Sequence, residues 1–88
     1  MIICTKFKPH VSGMLIGFAD FFIDKWRVEL HGCGVFQKGQ GKWVMMPSRE
    51  WKKEDGETGY TPIMSFPEEA HQKEFRRKLL AAYTAFDT

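Results

Sequence analysis

The chain has 88 residues, 43% of them hydrophobic and 15% aromatic, which is material for one domain and one core, since a domain of this size buries only about 60–65% of its unfolded surface. A formal charge of +2 and a pI near 8.6 are too mild to announce a polyanion-binding protein by total charge alone. Two cysteines, Cys4 and Cys33, cannot build the dense disulfide framework of a small secreted domain, and the apolar cluster Met14 to Ala19 is too short for a membrane span, so a cytoplasmic protein with reduced thiols and no membrane partner is expected.

In chain order, Ile2 to Lys8 alternates, with Ile3, Thr5 and Phe7 on one side and Cys4, Lys6 and Lys8 on the other, and reads as a first strand. After Pro9, the stretch from His10 to Gly13 carries turn signals. A second strand follows over Met14 to Ile23. It places Met14, Ile16, Phe18 and Phe22 on one face and Leu15, Gly17, Ala19, Phe21 and Ile23 on the other, so a central strand covered on both faces is expected. Asp24-Lys25 makes a turn, and Trp26 to Phe36 reads as a half-buried third strand with Trp26, Val28 and Leu30 inward and Arg27, Glu29 and His31 outward. Gly32 and Gly34 then fall on the apolar side, which predicts a bulge or the close approach of a large neighbour, or else a strand fraying near its end.

Gly39 and Gly41 suit a hairpin turn into a fourth, buried strand from Trp43 to Met46. Pro47 has no N–H to donate, so the ladder should stop there and release a polar loop carrying Arg49, Lys52 and Lys53. Glu54 to Glu57 is a surface turn, and Gly59 to Met64 a short fifth strand that Pro62 assigns to an edge. Ser65 stands three residues before Glu68 in a capping-box pattern. A helix from Glu68 to about Ala85 follows, with Phe75, Leu79, Ala82 and Phe86 recurring at helical spacing and Leu80 and Tyr83 widening the stripe. Glu69 with Lys73, and Glu74 with Lys78, mark its solvent side, near which Arg76 and Arg77 belong. The expected fold is α+β: a twisted, mainly antiparallel sheet of about five strands with one C-terminal amphipathic helix. Surplus aromatic surface on so small a domain predicts a homodimer, a monomer with scattered surface aromatics being the alternative.

The chemistry these residues offer is limited. Cys4, His10, His31 and Cys33 are suitable metal ligands, but no zinc-finger or ribbon spacing is present, so neither a metal nor another cofactor is expected. Gly39-Gln40-Gly41-Lys42 fails as a phosphate-binding loop, because Phe36 and Trp43 stand where that motif needs a glycine and a hydroxyl residue. Ser48, Cys33 and the three histidines form no recognisable catalytic arrangement, and an enzyme is not expected. Charge distribution is more informative. Between Phe36 and Lys53 the five cations Lys38, Lys42, Arg49, Lys52 and Lys53 face the single anion Glu50, a local positive band of the kind phosphates seek. Trp43, Trp51 and Tyr60 are interleaved with it; Trp43 reads as core, whereas Trp51 is the aromatic expected to be exposed and able to stack on a base.

The words Met46-Pro47-Ser48-Arg49 and Asp55-Gly56-Glu57, inside a strand-loop-strand-helix order ending in Leu80-Ala81-Ala82-Tyr83, resemble the stage V sporulation protein G (SpoVG) family. The likeness covers most of the chain and makes all 88 residues one SpoVG-like α+β domain. It implies a small dimeric regulator that binds DNA, in some members also RNA. It implicates Arg49 after the strand end, and Arg76 and Arg77 on the closing helix. Here Glu50 stands where a second basic residue is usual, Trp51-Lys52-Lys53-Glu54 lengthens the loop, and Tyr60-Thr61-Pro62-Ile63 differs from the family's next strand. The expectation is a nucleic-acid-binding regulator whose ligand is DNA, single-stranded DNA or RNA being the further options. Arg49, Lys52 and Lys53 contact phosphates, Lys38, Lys42, Arg76 and Arg77 extend the track, and Trp51 stacks on a base if the ligand is single-stranded. A protein-interaction adaptor using the aromatic loop and a sheet edge is the alternative.

Overall fold

The computed structural model describes residues 1–87. Six strands and one helix follow in the order β1 (Ile2–Ser12), β2 (Leu15–Ile23), β3 (Val28–Lys38), β4 (Gly41–Val44), β5 (Ser48–Lys52), β6 (Thr58–Pro62) and α1 (Glu69–Asp87). The first four form an antiparallel meander in sequence order, and β5 with β6 forms a separate two-stranded sheet. The α+β class and the C-terminal helix are thus as expected, but the strands number six rather than about five. The extra strand is the stretch expected to be a polar loop.

Each connection in the meander has a local cause. Gly13 and Gly39 take positive φ in the tight turns that join Ser12 to Leu15 and Lys38 to Gly41, where a side chain would be strained. Gly41 itself begins β4. The β2–β3 link is longer than Asp24-Lys25 alone: Trp26 and Arg27 belong to it, Arg27 has φ 57°, and its guanidinium bonds Asp24 at 3.1 Å. β1 runs on through Pro9 to Ser12 instead of turning there, because β1 is the outermost strand and a missing N–H disturbs no neighbour on its open side.

Besides the shift in β1 between Cys4 and Lys6, which puts Cys4 and Phe7 together on the core side and leaves Ile3 exposed, contrary to the expected alternation, two register shifts decide which residues face the helix. In β3, the extra residue near Gly32 (φ 74°) sets His31 and Gly32 opposite Asp20, whose carboxylate accepts from the Gly32 N–H at 2.9 Å. Past this bulge the alternation is inverted, so Cys33 and Val35 are buried while His31 is exposed and Gly34 pairs with Phe18. Both expected causes therefore operate: a bulge at Gly32, and a close approach at Gly34, where an added Cβ would lie 2.9 Å from the Phe36 ring. A second shift, between Leu15 and Gly17, turns Ile16 toward the core.

The core lies between one face of the meander and α1. Ala19, Phe21, Ile23, Leu30, Cys33, Val35 and Val44 from the sheet meet Phe75, Leu79 and Tyr83 from the helix, and Met46 joins them just past β4. Full burial of each large apolar side chain stabilises by about 1.5–3 kcal/mol, and Leu79, fully buried at the centre of the helix stripe, is the anchor of this layer. The helix spans the sheet, touching both β1 and β4. Its stripe is the expected one except that Phe86 remains 48% exposed. Its entrance also differs: Glu68 supplies the first backbone acceptor, to Gln72 N–H, and the Gln72 side chain turns back to accept from Phe66 N–H at 3.1 Å. The helix thus starts past the Ser65–Glu68 box.

One correction concerns β2. Gly17, Ala19, Phe21 and Ile23 are buried as expected but Leu15 is only half-buried, and the other face is open: Phe18 is 38% exposed, and Asp20 and Phe22 are half-buried. Both faces carry apolar residues, but α1 covers only one.

Candidate nucleic-acid interface

The residues expected to contact phosphates are distributed over three places. Arg49 and Lys52 lie in β5 and Lys53 directly follows it, in a hairpin whose residues are exposed apart from the half-buried Gly59. The ladder pairs Arg49 with Thr61, Glu50 with Tyr60, Trp51 with Gly59 and Lys52 with Thr58. Side chains alternate across a ribbon, so Arg49 and Trp51 share one face, whereas Glu50, Lys52 and Tyr60 share the other. Lys53 Nζ sits 5.8 Å from the Trp51 ring centre and joins the first face. Arg49, Lys52 and Lys53 therefore do not form one cluster; Arg49, Trp51 and Lys53 do.

Trp51 is anchored. Its indole N–H donates to Thr61 Oγ1 at 2.9 Å, and its ring lies against Gly59, where an added Cβ would come within 2.5 Å of Cζ2. A glycine opposite an aromatic in a ribbon leaves a hollow that the ring fills. At 42% exposure the indole still offers surface to a ligand, but only the side turned away from Gly59. The hairpin's far end is acidic: Glu54, Asp55 and Glu57 surround the turn, and Asp55 Oδ1 accepts from the Glu57 N–H at 3.0 Å. Acids thus occupy the tip, with Arg49 and Lys53 on one face of the arm and Lys52 on the other.

The arm's root is held by the Ile63 N–H, which donates to the Pro47 carbonyl at 2.9 Å. Close to this root the helix supplies a second group of cations. A small cleft of about 280 Å³ is lined by Trp43, Val44, Lys73, Arg76, Arg77 and Leu80. Arg76 Nη1 donates to Met45 Sδ at 3.4 Å, and its Nε is buried with no hydrogen-bond partner among the described residues. Arg77 is instead gripped by Glu74 at 2.6 and 3.1 Å, an ion pair that holds the Glu74 carboxyl below its ordinary range. That pairing replaces the expected Glu74–Lys78 contact, while Glu69–Lys73 forms as expected at 3.4 Å. Lys73 is the cation in this cleft that periodicity assigned only to the solvent side.

The remaining two cations go elsewhere. Lys42 reaches across the end of α1, 4.0 Å from Asp87 and 5.9 Å from the Tyr83 ring centre. Lys38 is exposed beside the β3–β4 turn. Trp43 is half-buried rather than core and stacks on Phe36 at 5.6 Å with planes 8° apart.

The four candidate metal ligands are not brought together. Cys4 and Cys33 are buried, with Cys33 pushed up to about 12 by burial and by the Asp20 carboxylate and Cys4. His31 lies across the sheet from them, bracketed by Asp20 and Glu29 at 3.2 Å each, and His10 sits against Phe18. No group of three such side chains able to hold a metal occurs among the described residues, and none of the described helices is long and apolar enough to cross a membrane.

Compared with protein-family models and with curated proteins, the chain matches none.

Proposed function

We propose that the protein is a nucleic-acid-binding regulator of the SpoVG type, acting as a homodimer and preferring DNA to RNA, whose β5–β6 arm lays Arg49 and Lys53 against phosphates. The observation that carries this reading is the arm itself: a two-stranded ribbon standing off the core, with Arg49, Trp51 and Lys53 on one face and the Arg76 cleft near its root. Two-stranded ribbons are narrow enough to enter a major groove, and cations at their margins neutralise phosphates. Lys52, on the reverse face, contributes less than Arg49 and Lys53, and Lys42 less than Arg76.

Fluorescence anisotropy with labelled duplex across a salt series tests the assignment. Arg49→Ala with Lys53→Ala should weaken binding and reduce the slope of log K against log salt by about 1.8, or 0.9 per lost phosphate contact. An unchanged slope in the folded double variant would sink the arm as the phosphate contact.

An adaptor function is favoured by a different feature. A groove of about 860 Å³ between the start of β1, the β2–β3 turn and α1 is lined by apolar residues that include Met1, Ile3, Trp26 and Phe86. In the present reading this groove is the homodimer contact; were duplex binding insensitive to salt and the protein monomeric, a partner protein would take its place.

A further inference from the structure

The sheet face turned away from α1 is a second surface, with a composition of its own. Pairing places Lys8 opposite Phe18 and Phe18 opposite Gly34, Lys6 opposite Asp20, and Phe22 opposite Glu29. At the other side Leu15, Phe36 and Trp43 are cross-strand neighbours. Four rings, Phe18, Phe22, Phe36 and Trp43, therefore share one face of a sheet whose strands are about 4.8 Å apart. Each is partly accessible. Gly34 keeps the centre low, and the Phe36 ring leans over it. His10 and Arg27 border this row, 5.9 Å from Phe18 and 5.2 Å from Phe22 respectively.

Charge distinguishes this face from a protein interface. Asp20, Glu29 and His31 sit among the rings, joined by contacts of 3.2 Å. The fully buried core of a protein contact is depleted in such groups; nucleic-acid surfaces are polar and wet but also basic, so the cations at the margin of this face have to carry any phosphate contact. The two acids are already engaged, Asp20 by the Gly32 N–H, by His31 and by the charge of Lys6 opposite it, and Glu29 by His31, and Arg27 is held by Asp24. Lys6 and Lys8 then edge the rings along β1. Rings that accept any base, flanked by cations that follow a backbone, are what sequence-tolerant single-strand binding requires.

We infer that this open sheet face, through Phe18, Phe22, Phe36 and Trp43 with Lys6 and Lys8, is a stacking platform for single-stranded nucleic acid. It rests on the nucleic-acid reading above and adds to it a second site, separate from the arm. A base enters by stacking on an accessible ring while its phosphate is taken by Lys6 or Lys8. Duplex, whose bases are already stacked, gains nothing from the rings.

The test compares oligothymidylate, oligouridylate and a duplex of matched length in anisotropy titrations, with folding checked by circular dichroism and mass by sedimentation. Phe18→Thr with Phe22→Thr keeps strand-forming residues at both positions and should lower single-strand affinity by about tenfold or more, leaving duplex affinity unchanged. Lys6→Gln with Lys8→Gln, which removes no buried group, should flatten the single-strand salt slope by about 1.4. Oligouridylate and oligothymidylate separate RNA from DNA, and a platform effect on either supports the site. Full single-strand affinity in both folded variants overturns it, as does an equal loss on duplex. A fall in mass accompanying the ring substitutions would make the face a self-association surface and also overturn it. The arm variant serves as the control: if Arg49→Ala with Lys53→Ala leaves duplex binding intact while the ring variant loses single strands, the arm assignment fails and the platform stands. Wild-type protein that binds no oligonucleotide at low salt removes both.

Discussion

Cys33 shows how one buried residue ties the core to pH. The thiol is fully enclosed, and burial, with help from Asp20 and Cys4, pushes its pKa from the ordinary 9.0 up to about 12. Below pH 9 the thiol is protonated in folded and unfolded chains alike. Above it, the unfolded chain releases a proton that the native state keeps, so stability falls as pH rises from about 9 toward about 12. Cys4 and Tyr83, both raised by burial first, act in the same direction. Urea midpoints measured between about pH 8 and about pH 11 should decline, and Cys33→Ala should flatten the decline; a midpoint that holds steady through this range would mean the thiol is solvated. Residue type alone favours a buried thiol, but strict alternation from Trp26 put Cys33 on the side of His31. Only the bulge at Gly32 separates them, and although two glycines signalled an irregularity, nothing in the residue types said which one would absorb the extra position.

At the scale of elements, the strands that were easiest to read are those with one wet face. β1 and β3 were legible as strands, though a register shift in each breaks the alternation that was used to assign their faces, and their turns carry glycine where φ is positive. α1 announced itself by the spacing of Phe75 and Leu79. β5 was hidden for a physical reason: Ser48–Lys52 is exposed on both sides, so no burial pattern distinguishes it from a loop, and only its pairing with β6 makes it a strand. The basic residues were legible as a group, but their division between two faces of a ribbon was not. The open ring face was missed for the converse reason, since β2 is apolar on both sides and composition does not tell which side a single helix will cover. An arm of two strands with hardly any burial is marginal by itself. In hydrogen exchange, amides of β5 and β6 should therefore show protection free energies near zero, whereas Ala19, Phe21 and Val35 exchange only with global unfolding. Protection of the arm equal to that of the core in free protein would mean that something already covers it, and a partner copy would be the first suspect.

At the scale of the molecule, a mild net charge conceals a division of labour by position. Cations gather on the arm, in the helix cleft and along β1, while acids collect at the tip of the arm. Apolar surface is also unevenly placed, with Met1, Ile3, Trp26 and Phe86 exposed around the groove beside α1. Under the proposed homodimer, sedimentation at micromolar protein gives twice the chain mass of 10.3 kDa, and Trp26→Ser with Phe86→Ser returns it to one chain. A wild-type mass of a single chain would withdraw the dimer. The placement of two prolines has a further consequence, for behaviour at high concentration. A meander is bounded by two lateral strands whose unpaired backbone invites further strands, the starting point of cross-β growth. β1 carries Pro9, which offers an incoming strand no N–H, together with a register shift between Cys4 and Lys6 that twists the ladder. β4 is only four residues long, and Pro47 closes off the chain just beyond it. The meander is thereby terminated on both flanks and is a poor template for fibrils, which leaves the two open edges of the β5–β6 arm as the places where another strand could add.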